Sequence, residues 1–550
     1  MAHPTLITAV FCASLLLIAC SGAQNTTPHA PPPIAKATVT HQPLAARATP
    51  CGDSFVRHEL PHYTSGGAQG TYVYASNGSG LAVGDVNGDG NDDLIFGNIA
   101  GTVTLYLNDG HMHFTPIATD LQDVRALAIV DTDGDGKPEV VATQRFRRPV
   151  IGVFAHNTLT FHDMPDVYSA FYAMNWRDLN GDGKLDVVFG TYDTEQLQHQ
   201  GLIFNERGGG GVFIYYRDGA GYRAERLNEH ADALTIAFPD INHDGVNDIM
   251  VGNDFNRRDM IWLASPTGWQ SAEPFSQTTE NTMSIDVADA FNTGTEAIFA
   301  TDMKPYNQDV KTMAIWLPAM KKLTRPLSAD DPQYTENALQ VWQNNHWQDL
   351  AYNLQIDASG WSWSGKFGDL DNDGWQDLYI VNGMIAKDLL NYLPHNQIAE
   401  PDMLFVNNAG KSFTRADWGL SNSGSGRAMS MVDLNHDGRL DVVVNPMDGH
   451  AVIYENQRCA GNSVELRLEQ PHSPNPTAIG ATVRISAGTQ RMLRTVRAAS
   501  GYLSGDSQII HFGIGDADTV TDIEITWPDG SNSHIDSIPG NALTTVTRTE

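Results

Sequence analysis

The chain has little positive charge. Its 550 residues include 34 Lys and Arg against 65 Asp and Glu, which gives a formal net charge of −31 at pH 7. Proteins that bind nucleic acid by neutralising phosphates carry a basic surface, so this balance argues against a nucleic-acid partner. Only 18% of the residues are charged, whereas 41% are hydrophobic and 50 are Gly, which indicates a folded, glycine-rich protein and not an acidic disordered one.

Motifs of several common enzyme classes are also missing. The chain has no Gly-x-Ser-x-Gly nucleophile elbow, no P-loop and no Cys-x-x-Cys pair. A His-Glu-x-x-His sequence occurs at 58–62, but Pro61 would disrupt the helix that such a zinc site needs. We therefore expect no enzyme activity. The alternative is an extracellular lyase or hydrolase acting on polysaccharide, with carboxylates supplied by insertions at about 190–230 and 303–362.

The apolar run from Leu6 to Ala19 is too short to span a membrane comfortably and has the length of a secretory signal core. It ends in Leu17-Ile18-Ala19-Cys20, which resembles the bacterial lipoprotein signal. The resemblance implies a signal peptide over 1–19, lipidation of Cys20, and an exported protein anchored by lipid alone at the outer membrane or cell surface. The alternative is an ordinary secretory signal and a periplasmic or secreted protein.

Residues 20–50 are rich in Pro, Ala and Thr and show no apolar periodicity. This composition predicts a disordered tether that holds a folded head away from the lipid.

Cysteine is rare. Of four residues, Cys12 lies in the signal and Cys20 is the predicted lipid site, which leaves Cys51 and Cys459. Two remaining cysteines in an exported chain favour a disulfide over two free thiols.

A nine-residue pattern, Asp-x-Asp/Asn-x-Asp-Gly-x-x-Asp/Glu, occurs six times. Oxygen donors at positions 1, 3 and 5, a Gly for the sharp turn at 6, a carbonyl at 7 and a carboxylate at 9 suit Ca²⁺, which takes six to eight oxygen ligands. The predicted side-chain ligands are Asp85, Asn87, Asp89, Asp93, Asp131, Asp133, Asp135, Glu139, Asp178, Asn180, Asp182, Asp186, Asp240, Asn242, Asp244, Asp248, Asp369, Asp371, Asp373, Asp377, Asp433, Asn435, Asp437 and Asp441. The predicted carbonyl ligands are those of Asn91, Lys137, Lys184, Val246, Trp375 and Arg439. The sequence thus predicts about six structural Ca²⁺ sites.

Each loop lies between two short β-branched or aromatic runs, which predicts a loop between the strands of a hairpin. The gap between the fourth and fifth loops has room for one more unit. There, residues 289–297 keep the Asp at 1 and the Gly at 6 but have Thr293 and Ala297 at positions 5 and 9. We interpret this as a seventh repeat without a metal site. Seven units suit a ring of four-stranded blades, with a β-sandwich or open solenoid as the alternative.

The loops and their strands resemble the FG-GAP or VCBS repeats of integrin-α-type β-propellers. The tail resembles the ASPIC/UnbV domain in its segments 479–484, 500–504, 511–515 and 527–530. Both resemblances together are those of the cartilage-acidic-protein-1-like group of secreted bacterial proteins. They imply an all-β protein with a seven-bladed propeller over 51–458 and a small C-terminal β domain over 459–550. Because closing a ring brings its ends together, we expect a Cys51–Cys459 bridge to clasp the propeller.

The expected activity is binding or adhesion by a monomer, with an extracellular glycan or protein as partner and the metals holding the blades rigid. A structural role in a cell-envelope complex is the alternative.

Five Trp fall between Trp316 and Trp363, in the longest insertion. They form either an exposed binding surface for sugars or apolar partners, or a buried cap on the blades.

Overall fold

Strands form most of the regular structure. The structure is a computed structural model that describes residues 33–46, 51–68, 70–200, 210–255, 257–323, 328 and 330–550. The predicted signal peptide and Cys20 lie outside these residues. Short β-branched and aromatic runs form the strands: Val187, Val188 and Phe189, for example, are fully buried, because sheets pack on both faces of their strand.

Within the described residues 55–456, seven antiparallel sheets contain a core of four strands each. Sheet 1 comprises Leu81–Gly84, Asp93–Phe96, Thr102–Asn108 and Phe114–Gln122. Sheet 2 comprises Val124–Val130, Glu139–Gln144, Arg147–Ala155 and Thr158–Asp163. Sheet 3 comprises Ala173–Arg177, Asp186–Gly190, Val212–Asp218 and Gly221–Asn228. Sheet 4 comprises Ala233–Ala237, Ile249–Asn253, Met260–Leu263 and Gln270–Ala272.

The remaining sheets of this region follow the same plan. Sheet 5 comprises Ser284–Ala288, Ala297–Thr301, Ala338–Gln343 and His346–Asp349. Sheet 6 comprises Gly360–Gly368, Asp377–Asn382, Met403–Asn407 and Phe413–Ala416, with Met303–Lys304 at its edge. Sheet 7 comprises Gly426–Val432, Asp441–Pro446, Gly449–Asn456 and, from the N-terminal side, Phe55–Thr64. Short strand pairs join Thr278–Thr279 to Gln333–Tyr334 and Met384–Ile385 to Gln397–Ile398.

Two α-helices lie within the described part of the insertions. Helix α1 spans Asp193–Gln200 and helix α2 spans Val310–Leu323, and single 3₁₀ turns occur at Ala75–Asn77 and Pro394–Asn396.

The sheets follow one another around a closed path. The first strand of each sheet lies beside the first strand of the next, and the first strand of sheet 7 lies beside that of sheet 1. Hydrophobic clusters fill the space between neighbouring sheets. Repeated four-stranded antiparallel sheets in this arrangement are consistent with a propeller.

The predicted Cys51–Cys459 disulfide is confirmed, with the two Cα atoms 5.1 Å apart. Sheet 7 explains the pairing, since Phe55–Thr64 runs antiparallel to Gly449–Asn456. The backbone N–H of Cys459 also donates to the Gly52 carbonyl at 2.9 Å. The disulfide therefore joins the two ends of the chain where they meet in one sheet.

The C-terminal domain contains two further sheets. Sheet 8 has the strand order Ala37–Pro43, Ala542–Arg548, Asn462–Glu469, Ile510–Gly515. Sheet 9 has the order Gln490–Thr495, Thr482–Ala487, Thr519–Thr526, Asn532–Pro539. The short strands Ala499–Ser500 and Ser504–Gly505 leave this domain and extend sheet 1.

The strand Ala37–Pro43 corrects the prediction of a disordered tether over 20–50. It pairs along its whole length with the last strand, from Ala37 opposite Arg548 to Pro43 opposite Ala542. The prediction was wrong for this part because the segment is an edge strand that is mostly exposed and needs few apolar residues. Its partner lies at the other end of the chain, where no local pattern reveals it.

Candidate metal sites and axial pocket

Each of the six predicted metal loops joins the first strand of a sheet to the second. In every loop a carboxylate oxygen of the Asp at position 1 accepts a hydrogen bond from the backbone N–H of the Gly at position 6, at 2.6 to 3.0 Å. These glycines have positive φ, for example 93° at Gly90 and 91° at Gly374, a conformation that disfavours side chains. The Asp and Gly of the pattern therefore form the turn itself.

The carboxylate at position 5 also supports the loop. It accepts from the backbone N–H of position 7 in all six loops, at 2.8 to 3.1 Å. The same side chains that are predicted to ligate the ion thus hold the loop in shape.

The incomplete seventh loop keeps part of this arrangement. Asp289 accepts from the N–H of Gly294 at 3.0 Å, so the turn survives in sheet 5. Thr293 and Ala297 supply no carboxylate at positions 5 and 9, as the sequence shows. The loop therefore lacks two of the acidic groups that the other six share.

The acid at position 9 has a second role that the sequence did not reveal. Asp93 accepts from the N–H of Val86, at position 2, at 3.0 Å and from the N–H of Asn108, on the third strand, at 2.9 Å. Asp186, Asp248, Asp377 and Asp441 bond in the same way. Burial raises the pKa of Asp93 to about 8. In these loops, the acid at position 9 therefore joins the loop to the third strand of its sheet by hydrogen bonds.

Two loops bring three carboxylates close enough to share one ion. In the part of the chain that the structure describes, these are Asp131, Asp133 and Glu139, and Asp369, Asp371 and Asp373, with one oxygen of each residue within 4.8 Å of the others in its group. Oδ1 of Asp371 is buried and has no hydrogen-bond donor. A buried carboxylate oxygen without a donor is costly unless a cation is present. This all-oxygen set fits a hard cation such as Ca²⁺.

In two loops, a basic side chain at position 7 pairs with the carboxylate at position 5: Lys184 with Asp182 in the third loop, and Arg439 with Asp437 in the last. The guanidinium of Arg439, at position 7, pairs with Asp437, at position 5, and its Nε lies 3.1 Å from Oδ2. A cation of the protein therefore already engages one of the predicted ligands of this loop.

The C-terminal domain covers the loop ends of several sheets. The N–H of Gly461 donates to the Asp371 carbonyl at 3.0 Å, and the N–H of Gly515 donates to the Asn372 carbonyl at 2.8 Å. Arg467 Nη2 donates to the Gly90 carbonyl at 2.9 Å. Glu465 of the tail also lies beside Asp433. The tail therefore contacts three of the predicted metal loops, at 85–93, 369–377 and 433–441.

Residues 499–505 of the tail, here named the axial finger, enter the centre of the ring of first strands. Their backbone carbonyls accept from Asn175 at 3.1 Å and from Thr235 at 2.7 Å, and Ser504 accepts from the N–H of Met429 at 3.1 Å. These three partners belong to sheets 3, 4 and 7. The finger therefore contacts strands from around the ring.

A small cavity of about 30 Å³, here named the axial pocket, lies at the opposite ends of the first strands from the metal loops. It is bounded by segments that precede a first strand or follow a second strand, by the start of the strand Gly360–Gly368, and by the end of helix α2. Its principal lining residues are Tyr74, Asn77, Tyr192, Asp254, Phe255 and Trp361. The rings of Tyr74, Tyr192 and Phe255 form a triangle with centroids 6.1 to 6.3 Å apart. Tyr74 and Phe255 remain partly exposed.

The polar groups of the axial pocket are not all satisfied. Nε1 of Trp361 is buried and has no acceptor, whereas the Asn77 side chain lies within hydrogen-bonding reach of the Tyr172 hydroxyl. Asp254 accepts from the hydroxyl of Tyr192 at 2.6 Å and from the N–H of Phe255 at 2.7 Å, and burial raises its pKa to about 6. The pocket thus combines aromatic faces, one free N–H donor and a fixed carboxyl group.

Four of the five clustered tryptophans are buried, which favours the cap over the exposed surface. Trp316, Trp347, Trp361 and Trp363 are each at most 6% exposed, and Trp342 is half-buried. Helix α2 places Trp316 against Trp361, with centroids 5.5 Å apart, and Glu400 accepts from Trp316 Nε1 and from the Trp361 N–H. The cluster was visible in the sequence. The other pocket residues come from separate sheets, and no local motif marks them.

Among the described residues, no helix is both long and apolar enough to serve as a membrane span.

These features define an all-β protein of repeated four-stranded antiparallel sheets with acidic hairpin loops. The chain contains an FG-GAP-like repeat, matched over residues 85–142, and an ASPIC and UnbV domain, matched over 471–550, as the sequence predicted. No curated protein matches this chain. A solved lectin of Agrocybe aegerita that recognises non-reducing terminal N-acetylglucosamine is similar at 13% identity with a TM-score of 0.37, over 70% of this chain and 94% of the lectin. That likeness is too low to support an argument about ligand.

Proposed function

We propose that the protein is an exported, lipid-anchored binding protein that takes the end of a glycan at the mouth of the axial pocket of a seven-bladed, Ca²⁺-stabilised propeller. The free indole N–H of Trp361, beside the partly exposed rings of Tyr74 and Phe255, carries the proposal.

Buried N–H donors without acceptors are rare because each costs the full desolvation of a polar group. A ligand with hydroxyl or carbonyl oxygens would accept from Trp361 Nε1 and remove this cost. A sugar also offers hydroxyl donors to the Asp254 carboxylate and apolar C–H faces to the partly exposed rings of Tyr74 and Phe255. Of the two partners that the sequence leaves open, a glycan matches this mixture of groups better than a flat protein surface does.

The closed path of the first strands supports a count of seven blades, with sheet 7 built from both ends of the chain. The loops support the calcium role, since their donors are all oxygens. Six bound Ca²⁺ ions would offset twelve of the 31 net negative charges. Rigid blades would keep the pocket residues in place, because those residues come from several sheets.

We propose binding without catalysis. Among the described residues that line the axial pocket, Asp254 is the one carboxylate, and both of its oxygens already accept hydrogen bonds. Glycoside hydrolysis ordinarily needs two carboxyl groups on either side of the scissile bond. The first twenty residues support export and lipid attachment at Cys20.

The test is a glycan array followed by calorimetric titration with the best glycan. Trp361→Phe keeps an aromatic ring but removes the free N–H, and we expect a loss of affinity of about fivefold or more. Trp342→Phe is the matched control, because Trp342 lies on sheet 5 and does not line the pocket. Equal affinities of the two variants, or no glycan bound by the wild type, would contradict the proposal.

A further inference from the structure

The C-terminal domain places a buried carboxyl group against the last metal loop. Glu465 lies on the strand Asn462–Glu469, which has a hydrogen-bonded neighbour on each side, with Glu465 opposite His511 and Leu543. Its side chain is almost completely buried, at 2% exposure. A side chain on an inner strand has little freedom to move, so its position against the loop is fixed by the fold.

The surroundings of Glu465 are acidic. Its carboxyl group lies within hydrogen-bonding reach of the Asp433 carboxyl, at position 1 of the loop, and the Asp437 and Asp92 carboxyls are close enough to interact with it. Oε2 of Glu465 is buried without a hydrogen-bond donor. Two adjacent buried carboxylates repel each other strongly unless a cation or a proton lies between them.

Two arginines near this loop are engaged elsewhere. Arg439 pairs with Asp437. Arg467 donates to the Gly90 carbonyl. Arg439 engages the position 5 carboxylate of this loop, as Lys184 engages that of loop 178–186. Glu465 stands beside the position 1 ligand with an oxygen that has no donor.

We propose that Glu465 is a ligand of the Ca²⁺ ion of loop 433–441, so that this ion is held jointly by the propeller and the C-terminal domain. The donor set remains all oxygen, as Ca²⁺ prefers. A joint site explains why the tail places a buried acidic side chain beside the acidic loop 433–441. The inference rests on the calcium part of the proposed function and is independent of the glycan.

The experiment counts bound Ca²⁺ by calorimetric titration and by elemental analysis after gel filtration, for the wild-type protein, Glu465→Gln and Glu469→Gln. Glu469 is the matched control, since it lies on the same strand and bonds to Thr547 instead of a metal loop. We expect E465Q to bind one ion fewer, or to bind one ion about tenfold more weakly or worse, while E469Q behaves as the wild type. Glu465→Ala serves as a second variant if E465Q folds poorly, and circular dichroism reports folding for all of them.

The outcomes separate this inference from the proposed function. If the wild type binds Ca²⁺ and E465Q binds the same number of ions equally tightly, the joint site is wrong and the calcium sites stand. A gain in thermal stability of E465Q that is equal in Ca²⁺ and in chelator, without a change in ion number, would assign a shared proton to the pair and overturn the inference. If the wild type binds no Ca²⁺, the joint site and the calcium part of the proposed function both fail.

Discussion

The phenol oxygens of Tyr172 and Tyr502 lie 2.9 Å apart and join the ring of sheets to the C-terminal domain. Tyr502 is fully buried in the axial finger, and its hydroxyl also lies 2.8 Å from the Asn77 carbonyl, beside the axial pocket. Its ring packs near Trp363, with centroids 5.3 Å apart. The C-terminal domain therefore contributes to the same centre that holds the proposed ligand site.

Replacement of Tyr502 by Ala should strongly destabilise the protein. It removes a buried ring and leaves a cavity in the centre of the molecule, so we expect a loss of about 3–5 kcal/mol in the free energy of unfolding. Urea unfolding followed by fluorescence measures this loss. Tyr352→Ala is the control, because that ring is 74% exposed. Equal unfolding midpoints for the two variants would show that the finger is not part of the core.

Removal of the Cys51–Cys459 disulfide should lower stability without unfolding the protein. The bond closes a loop over a sequence separation of 408, and such cross-links stabilise by about 2–4 kcal/mol, chiefly by restricting the unfolded chain. Guanidinium unfolding of the double variant Cys51→Ser, Cys459→Ser measures the effect. The wild type in reductant should behave like the double variant. An unchanged guanidinium unfolding midpoint in both cases would contradict a stabilising cross-link between the chain ends.

Deletion of residues 33–45 should destabilise the C-terminal domain selectively. It removes the strand that covers Ala542–Arg548, so the backbone amides on that side of the last strand lose their partners. Hydrogen exchange measured by mass spectrometry should show faster exchange over 542–548 than in the full chain. Peptides from sheet 3 should exchange at unchanged rates. Equal protection of 542–548 in both proteins would mean that the N-terminal strand contributes little.

His62 should make the protein less stable in acid. It is buried, its Nε2 lies 3.0 Å from the Gly97 carbonyl, and burial lowers its pKa from 6.5 to about 4. The unfolded chain binds a proton at His62 at a higher pH than the folded chain does. The contribution of neutral His62 to the free energy of unfolding is therefore fully present above pH 6.5. It is lost as the pH falls through 4, by about 3 kcal/mol in total.

His62→Gln cannot be protonated, so its stability difference from the wild type should change between pH 7 and pH 4. Thermal unfolding in chelator measures the difference without interference from Ca²⁺. His162→Gln is the control, since that residue is exposed on the outer strand of sheet 2. Curves for wild type and H62Q that run parallel with pH would contradict a buried neutral His62.

The parts of the fold that were predictable from sequence are local. Asp85 and Gly90 both belong to one hairpin turn, and their bond uses atoms five residues apart. The disulfide followed from the expectation of a closed ring, which brings Cys51 and Cys459 together. The HExxH pattern was also correctly rejected, because His58 and His62 lie on the strand Phe55–Thr64.

The parts that were missed depend on pairs of residues far apart in the chain. The strand Ala37–Pro43 has few apolar residues because one side of it is an exposed edge. The axial pocket draws Asn77, Asp254 and Trp361 from different sheets. Nothing in the strand Asn462–Glu469 marks Glu465 as a metal ligand. Its proposed role depends on Asp433, which belongs to the propeller and not to the C-terminal domain.

The most direct test of the calcium-stabilised architecture is thermal unfolding in Ca²⁺ and in chelator. Each occupied site stabilises the folded state by about 2.7 kcal/mol when the free ion is at a hundredfold excess over Kd. We expect a large rise in melting temperature with Ca²⁺ for the wild type. The rise should be smaller for Asp371→Asn, which alters a complete loop, and unchanged for Asp289→Asn, which alters the incomplete one. A melting temperature that is the same in Ca²⁺ and in chelator for the wild type would contradict the account.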